Sequence, residues 1–157
     1  MKVKEVIYED YVNYRKPSLF IGVCECDWKC CKEDSTCKCQ NLAFANYPIT
    51  EVSNEKLISE YLGNTLTHAV VFGGLEPLKQ WEEVLEFIKD FRKKSQDDIV
   101  IYTGYFPEEI RSELEEAKMF PNIFFKFGRY RNGDSPHFDE VLGVELSNIE
   151  QFGMKIS

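Results

Sequence analysis

The chain has 157 residues, the length of one domain, and its 43% hydrophobic and 14% aromatic content is enough to bury a core without cross-links. Its 27 acidic residues outweigh 19 basic ones for a net charge of −8, which argues against a general nucleic-acid binder, since that needs a basic face to neutralise phosphate. No window approaches the ~20 apolar residues that span a bilayer, and the charged start, residues 1–5, lacks the apolar run of a secretory signal; a cytoplasmic chain without a membrane partner is expected.

In chain order, apolar runs predict strands over 3–8 and 18–23, joined across 13–17. A loop of about 16 residues with almost no apolar content follows, unusual for a compact domain unless something bound anchors it. A short helix is expected over 41–46, then one from an N-cap at Ser53 to 62, stopped by Gly63. The run 68–72 reads as a strand ending in Gly73 and Gly74. Trp81, Val84, Leu85, Ile88 and Phe91 recur at helical spacing and predict a helix over 78–94. A strand over 99–102, a helix over 107–118 opened by Pro107, a strand over 123–127 and one more strand after Val141 complete the pattern. Strand and helix alternating at about 30 residues mean βα units: an α/β fold with a mostly parallel sheet, residues 1–157 forming one domain. Parallel sheets bind ligands beyond the carboxyl ends of their strands. The cysteine loop, Gly73 with Gly74, and Thr103 with Gly104 all follow strand ends, so one rim should carry them all.

All six cysteines lie between residues 24 and 39: Cys24, Cys26, Cys30, Cys31, Cys37 and Cys39. Cytoplasmic thiols stay reduced, so such a cluster reads as metal-binding before disulfide-bonded. Zinc wants two Cys-x₂₋₄-Cys pairs; Cys26 with Cys30 makes one, but Cys37 and Cys39 are separated by a single residue. Iron–sulfur ligation is the alternative. His68 and His137 read as structural or solvated. Trp28, between two candidate ligands, reads either as a shield or as core.

Cys26-x₃-Cys30 after a buried strand resembles the opening of the Cys-x₃-Cys-x₂-Cys motif of the radical S-adenosylmethionine superfamily. Residue 33 is Glu rather than the third Cys. Cys39-Gln-Asn41 keeps the Asn that commonly follows that cysteine in the small activating enzymes, so Cys26, Cys30 and Cys39 are taken as ligands, with Cys37 the rival for the third place. The segment 71–78 resembles the family's Gly-Gly-Glu-Pro stretch with Leu75 inserted. The segment 101–105 resembles the Trp-Thr-Gly-Tyr stretch of the activating proteins of anaerobic ribonucleoside-triphosphate reductase, and 125–129 sits where the fourth strand of that family ends but matches it weakly. The resemblance covers roughly residues 18–130.

The resemblance implies a partial (βα) barrel, radical SAM-like, with a [4Fe-4S] cluster on Cys26, Cys30 and Cys39. It implies S-adenosylmethionine bound near Gly73, Gly74, Glu76, Thr103 and Gly104. It also implies reductive cleavage of that cofactor, and a glycyl radical raised on a large glycyl-radical reductase subunit. A flavodoxin- or ferredoxin-type protein would donate the electron. A radical enzyme acting on a small molecule and a non-enzymatic zinc or iron–sulfur module are the competing readings.

Overall fold

The computed structural model describes residues 1–36 and 38–157. The strands are β1 (Lys2–Asp10), β2 (Ser18–Val23), β3 (Thr50–Glu51), β4 (Ala69–Gly74), β5 (Asp98–Tyr102), β6 (Ile123–Phe127), β7 (His137–Asp139), β8 (Val144–Leu146) and β9 (Phe152–Lys155). The helices are α1 (Lys29–Glu33), α2 (Leu42–Ala45), α3 (Asn54–Gly63), α4 (Trp81–Arg92) and α5 (Arg111–Ala117). Seven strands form one sheet in the order β3-β1-β2-β4-β5-β6-β9, and β7 and β8 pair as a small hairpin. The central β2, β4, β5 and β6 are parallel, while β1 and β9 pair antiparallel with β2 and β6, and β3 pairs antiparallel with β1. The fold is therefore α/β with a mixed, mostly parallel sheet. Among the described residues no pairing joins β3 to β9, so the sheet has two free edges.

Strand alternation sends side chains to two faces. Leu19, Ile21, Val70, Phe72, Ile99, Ile101, Ile123 and Phe125 bury one face with Leu57 of α3, Phe87 and Phe91 of α4 and Leu114 of α5. Phe72 meets Phe87 edge-on at 5.2 Å between centroids, and burying a side chain of that size contributes roughly 1.5–3 kcal/mol. The other face, carrying Phe20, Val71, Val100 and Phe124, is covered by Tyr14, Leu142 and Leu146. Three helices thus lie on one side, while connecting segments and β8 cover the other. The tail beyond residue 131 adds more than the single strand expected: β9 extends the sheet beyond β6, and Leu142 and Leu146 fill the second face.

Local chemistry sets the boundaries. Ser53 accepts a hydrogen bond from the Lys56 amide at 3.2 Å and starts α3 as anticipated. The expected helix over 78–94 begins as a 3₁₀ turn, Pro77–Gln80, because Pro77 has no N–H and the Glu76 carboxylate accepts from the Leu78 amide at 3.2 Å. Phe87 is buried in α4, while Leu85 is half-buried. The helix expected over 107–118 likewise opens as a 3₁₀ turn, Pro107–Glu109, before α5.

Candidate metal centre

The polypeptide leaves β2 at Val23 and enters the cysteine segment. Cys24 is buried, and its amide donates to the Gln80 side chain at 2.7 Å, which holds it beneath the turn before α4. Cys26, Cys30 and Cys39 instead line one concave pocket at the carboxyl ends of the parallel strands. All four thiols are free. Cys31 is disulfide-bonded, contrary to the expectation of thiols throughout. Cys31 borders the small cavity beside Trp28 but does not line the pocket that Cys26, Cys30 and Cys39 share. Cys37 lies outside the described residues.

Burial pushes the Cys26 thiol up to about 11, against a hydrogen bond from the Trp28 amide to its sulfur at 3.3 Å. Burial also raises Cys39, and repulsion between Cys39 and both Cys26 and Cys30 adds to the two shifts. The three residues share the lining of one pocket. Trp28 is half-buried with a φ of 59° and lines a small cavity beside Cys26 and Cys30, so it is a wall of the site and not a core residue.

Beyond the cysteine loop, Phe44 of α2 packs against the strand ends. A Cβ placed on Gly22 or on Gly74 would come within 2.6 Å of the Phe44 ring. Gly74 also has a φ of +85°, a conformation that favours glycine. The Asn41 amide nitrogen donates to the Gly74 carbonyl, tying the stretch after Cys39 to the glycine turn. Gly73 is placed differently: the Phe20 ring lies 2.9 Å from where its Cβ would be, and Gly73 does not line the pocket. The two glycines thus make room for aromatic rings, and only Gly74 also presents backbone to the site.

Glu76, Thr103 and Gly104 come together as expected. Glu76 is 5% exposed and accepts from the Gly104 amide at 2.9 Å. Burial raises its pKa, opposed by that hydrogen bond and those from Leu78 and Thr103. A Cβ on Gly104 would lie 3.1 Å from the Cys30 sulfur, so the β5 turn abuts the thiol. His68 is exposed just before β4, and His137 opens β7 with its Nδ1 buried without a partner; neither lines the pocket.

Sequence reasoning passed over three groups. Lys126, in the otherwise apolar β6, is buried against the pocket with its ammonium donating to the Gly128 carbonyl at 3.2 Å. Burial lowers its pKa to about 8, opposed by Cys30 and Glu76. A lysine inside an aromatic strand was the available signal. Arg129 is 2% exposed and grips Glu33 and Glu109. Gln151, from the tail, is buried and reaches the same pocket.

The cavity measures about 110 Å³. Among the described residues no group of three or more His, Cys, Asp and Glu converges tightly enough for one metal ion. A cluster distributes its ligands over several irons, so its thiolates stand farther apart than those around a single ion. Three free thiols on one open concavity, with Gly104 leaving room beside Cys30, fit such a group; they would supply three ligands and leave one iron position open. No helix among the described residues is long and apolar enough to cross a membrane. Neither the curated proteins nor the solved structures yield a match. A family model, described as a 4Fe-4S single cluster domain, matches residues 14–131, the stretch that holds all three thiols, Glu76, the β5 turn and Arg129. The chain belongs to the 4Fe-4S single cluster domain family.

Proposed function

We propose that this chain is a radical S-adenosylmethionine activase that raises a glycyl radical on a large partner, anaerobic ribonucleoside-triphosphate reductase being the partner its motifs favour. The observation that carries the reading is the meeting of Cys26, Cys30 and Cys39 with Gly74, Glu76, Thr103 and Gly104 around one pocket. When bound, the cluster supplies the electron for reductive cleavage of S-adenosylmethionine, received from a flavodoxin- or ferredoxin-type donor. The protein's own residues do the rest. Cys26, Cys30 and Cys39 would hold the cluster, and the glycine and β5 turns across the pocket would receive the cofactor. Glu76 fixes the β5 turn through the Gly104 amide, so that the turn backbone meets the ligand in a set position. The Phe20 and Phe44 rings close the glycine turn from beneath and keep water from that side.

Size favours a protein partner over a small substrate. Sites that enclose drug-sized ligands measure roughly 300–1,000 Å³, and this cavity of about 110 Å³ leaves no room to enclose a second small molecule beside the cofactor. A nucleoside bound here stays partly exposed until a partner covers it.

Anaerobic reconstitution with iron and sulfide tests the reading. A brown protein that yields 5′-deoxyadenosine from S-adenosylmethionine on reduction supports radical chemistry, and a glycyl radical in electron paramagnetic resonance appearing only with added reductase supports the partner. A loaded cluster with no cofactor cleavage leaves an electron-carrying module. Colourless protein holding one zinc ends the radical reading.

A further inference from the structure

Glu33 occupies the place where the resembled motif has its third cysteine, and the structure gives it a partner 96 residues away. The Arg129 guanidinium donates to Glu33 through Nε and Nη2, both at 3.0 Å. It donates to Glu109 at 2.9 and 2.7 Å, and also to the Gly104 carbonyl. Lys29, at the other end of α1, pairs with the same Glu109. Cys30 lies between these two tethered ends of α1. Its sulfur faces Gly104, whose carbonyl Arg129 holds. The carbonyl of Arg129 is itself fixed by the fully buried Asn148 side chain at 2.9 Å.

We infer that Arg129 is the positioning residue of the centre: its guanidinium fork draws Glu33 aside and seats Cys30 against the β5 turn, leaving the third thiolate to arrive from Cys39. The bidentate geometry is what does this. A planar fork with five donors bridges two carboxylates and a carbonyl at once, which an ammonium cannot. The inference rests on the cluster-binding part of the proposed function and not on the cofactor or the partner.

The test uses the full chain, reconstituted anaerobically. Arg129→Gln removes the fork, and Glu33→Gln, at a carboxylate 39% exposed that Arg131 also approaches at 3.7 Å, weakens the tether to α1 outside the core. Removing an outer partner of a metal ligand weakens binding by about tenfold or more. Both variants are expected to lose iron to a chelator about tenfold faster than the parent, with altered anisotropy in the resonance spectrum of the reduced cluster. Arg129→Lys should not rescue. Parental chelation rates and spectra in Glu33→Gln overturn the inference, whether or not Arg129→Gln folds. A parent chain that takes up no cluster overturns the proposed function and this inference together. Cofactor cleavage lost with chelation kinetics unchanged overturns the inference alone.

Discussion

The two ends of the parallel strands treat polar groups in opposite ways. At the amino end of β5, buried Asp98 pairs with Lys16 at 2.5 Å and accepts the Tyr14 hydroxyl at 3.0 Å. Next to it Asp97 accepts the Tyr61 hydroxyl at 2.6 Å, and the Arg92 guanidinium caps the Asp97 carbonyl at 2.8 Å. At the carboxyl end, the buried ammonium of Lys126 has one carbonyl partner, and free thiols and a buried carboxylate face a cavity. The first end contributes to stability and the second incurs its cost, the usual mark of a site built for something that completes it.

Substitutions can break that contrast. The largest effect is expected from Cys26→Ala, Cys30→Ala and Cys39→Ala, each abolishing visible iron–sulfur absorption. Cys24→Ala, whose position lies off the pocket, should keep it. Retention in Cys39→Ala with loss in Cys37→Ala would move the third ligand to Cys37.

Next comes Lys126→Met in the cluster-free chain. The folded-state pKa of about 8 lies below the ordinary 10.5, so the unfolded chain binds the extra proton between those values, and stability should rise with pH across that window. The full cost is present below pH 8 and corresponds to roughly 3 kcal/mol. Lys126→Met should therefore stabilise the empty chain at pH 7 in a denaturant titration, and a destabilised variant would refute the contrast. At the amino end the sign reverses: Tyr14→Phe should destabilise by about 1–3 kcal/mol by taking a hydrogen-bond donor from the buried Asp98 carboxylate, while iron content stays at the parental level.

The smallest effect concerns acid. Arg129 and Lys29 hold the Glu109 carboxyl down at about 2, below its ordinary 4.5. A lowered carboxylate pKa contributes stability above the ordinary value that fades as pH falls toward the folded one. The stability gap between the parent and Glu109→Gln should therefore narrow between pH 4.5 and pH 2. A gap unchanged across that range would mean the ion pair contributes nothing measurable.

The four central strands were legible because uninterrupted apolar runs such as Val70 to Phe72 and Ile99 to Ile101 suit a sheet buried on both faces. Strand ends then brought the cysteine loop, Gly74, Thr103 and Gly104 to one rim without any knowledge of their contacts. What stayed illegible was long-range or singular. Phe44 sits in the short apolar run Leu42–Ala45, with nothing local to say that it docks on two glycines. Ion pairs such as that of Glu33 with Arg129 leave no periodicity to read. Gly73 and Gly74 were assigned to ligand approach because a missing side chain does not say what fills the space, and here aromatic rings do.

The single amide of Asn41 joins the stretch behind Cys39 to the carbonyl of Gly74. The cysteine side and the glycine-turn side of the pocket are therefore mechanically joined, with the Phe44 ring packed against the same turn. Any occupant that displaces the glycine turn also pulls on the segment that carries the last sulfur.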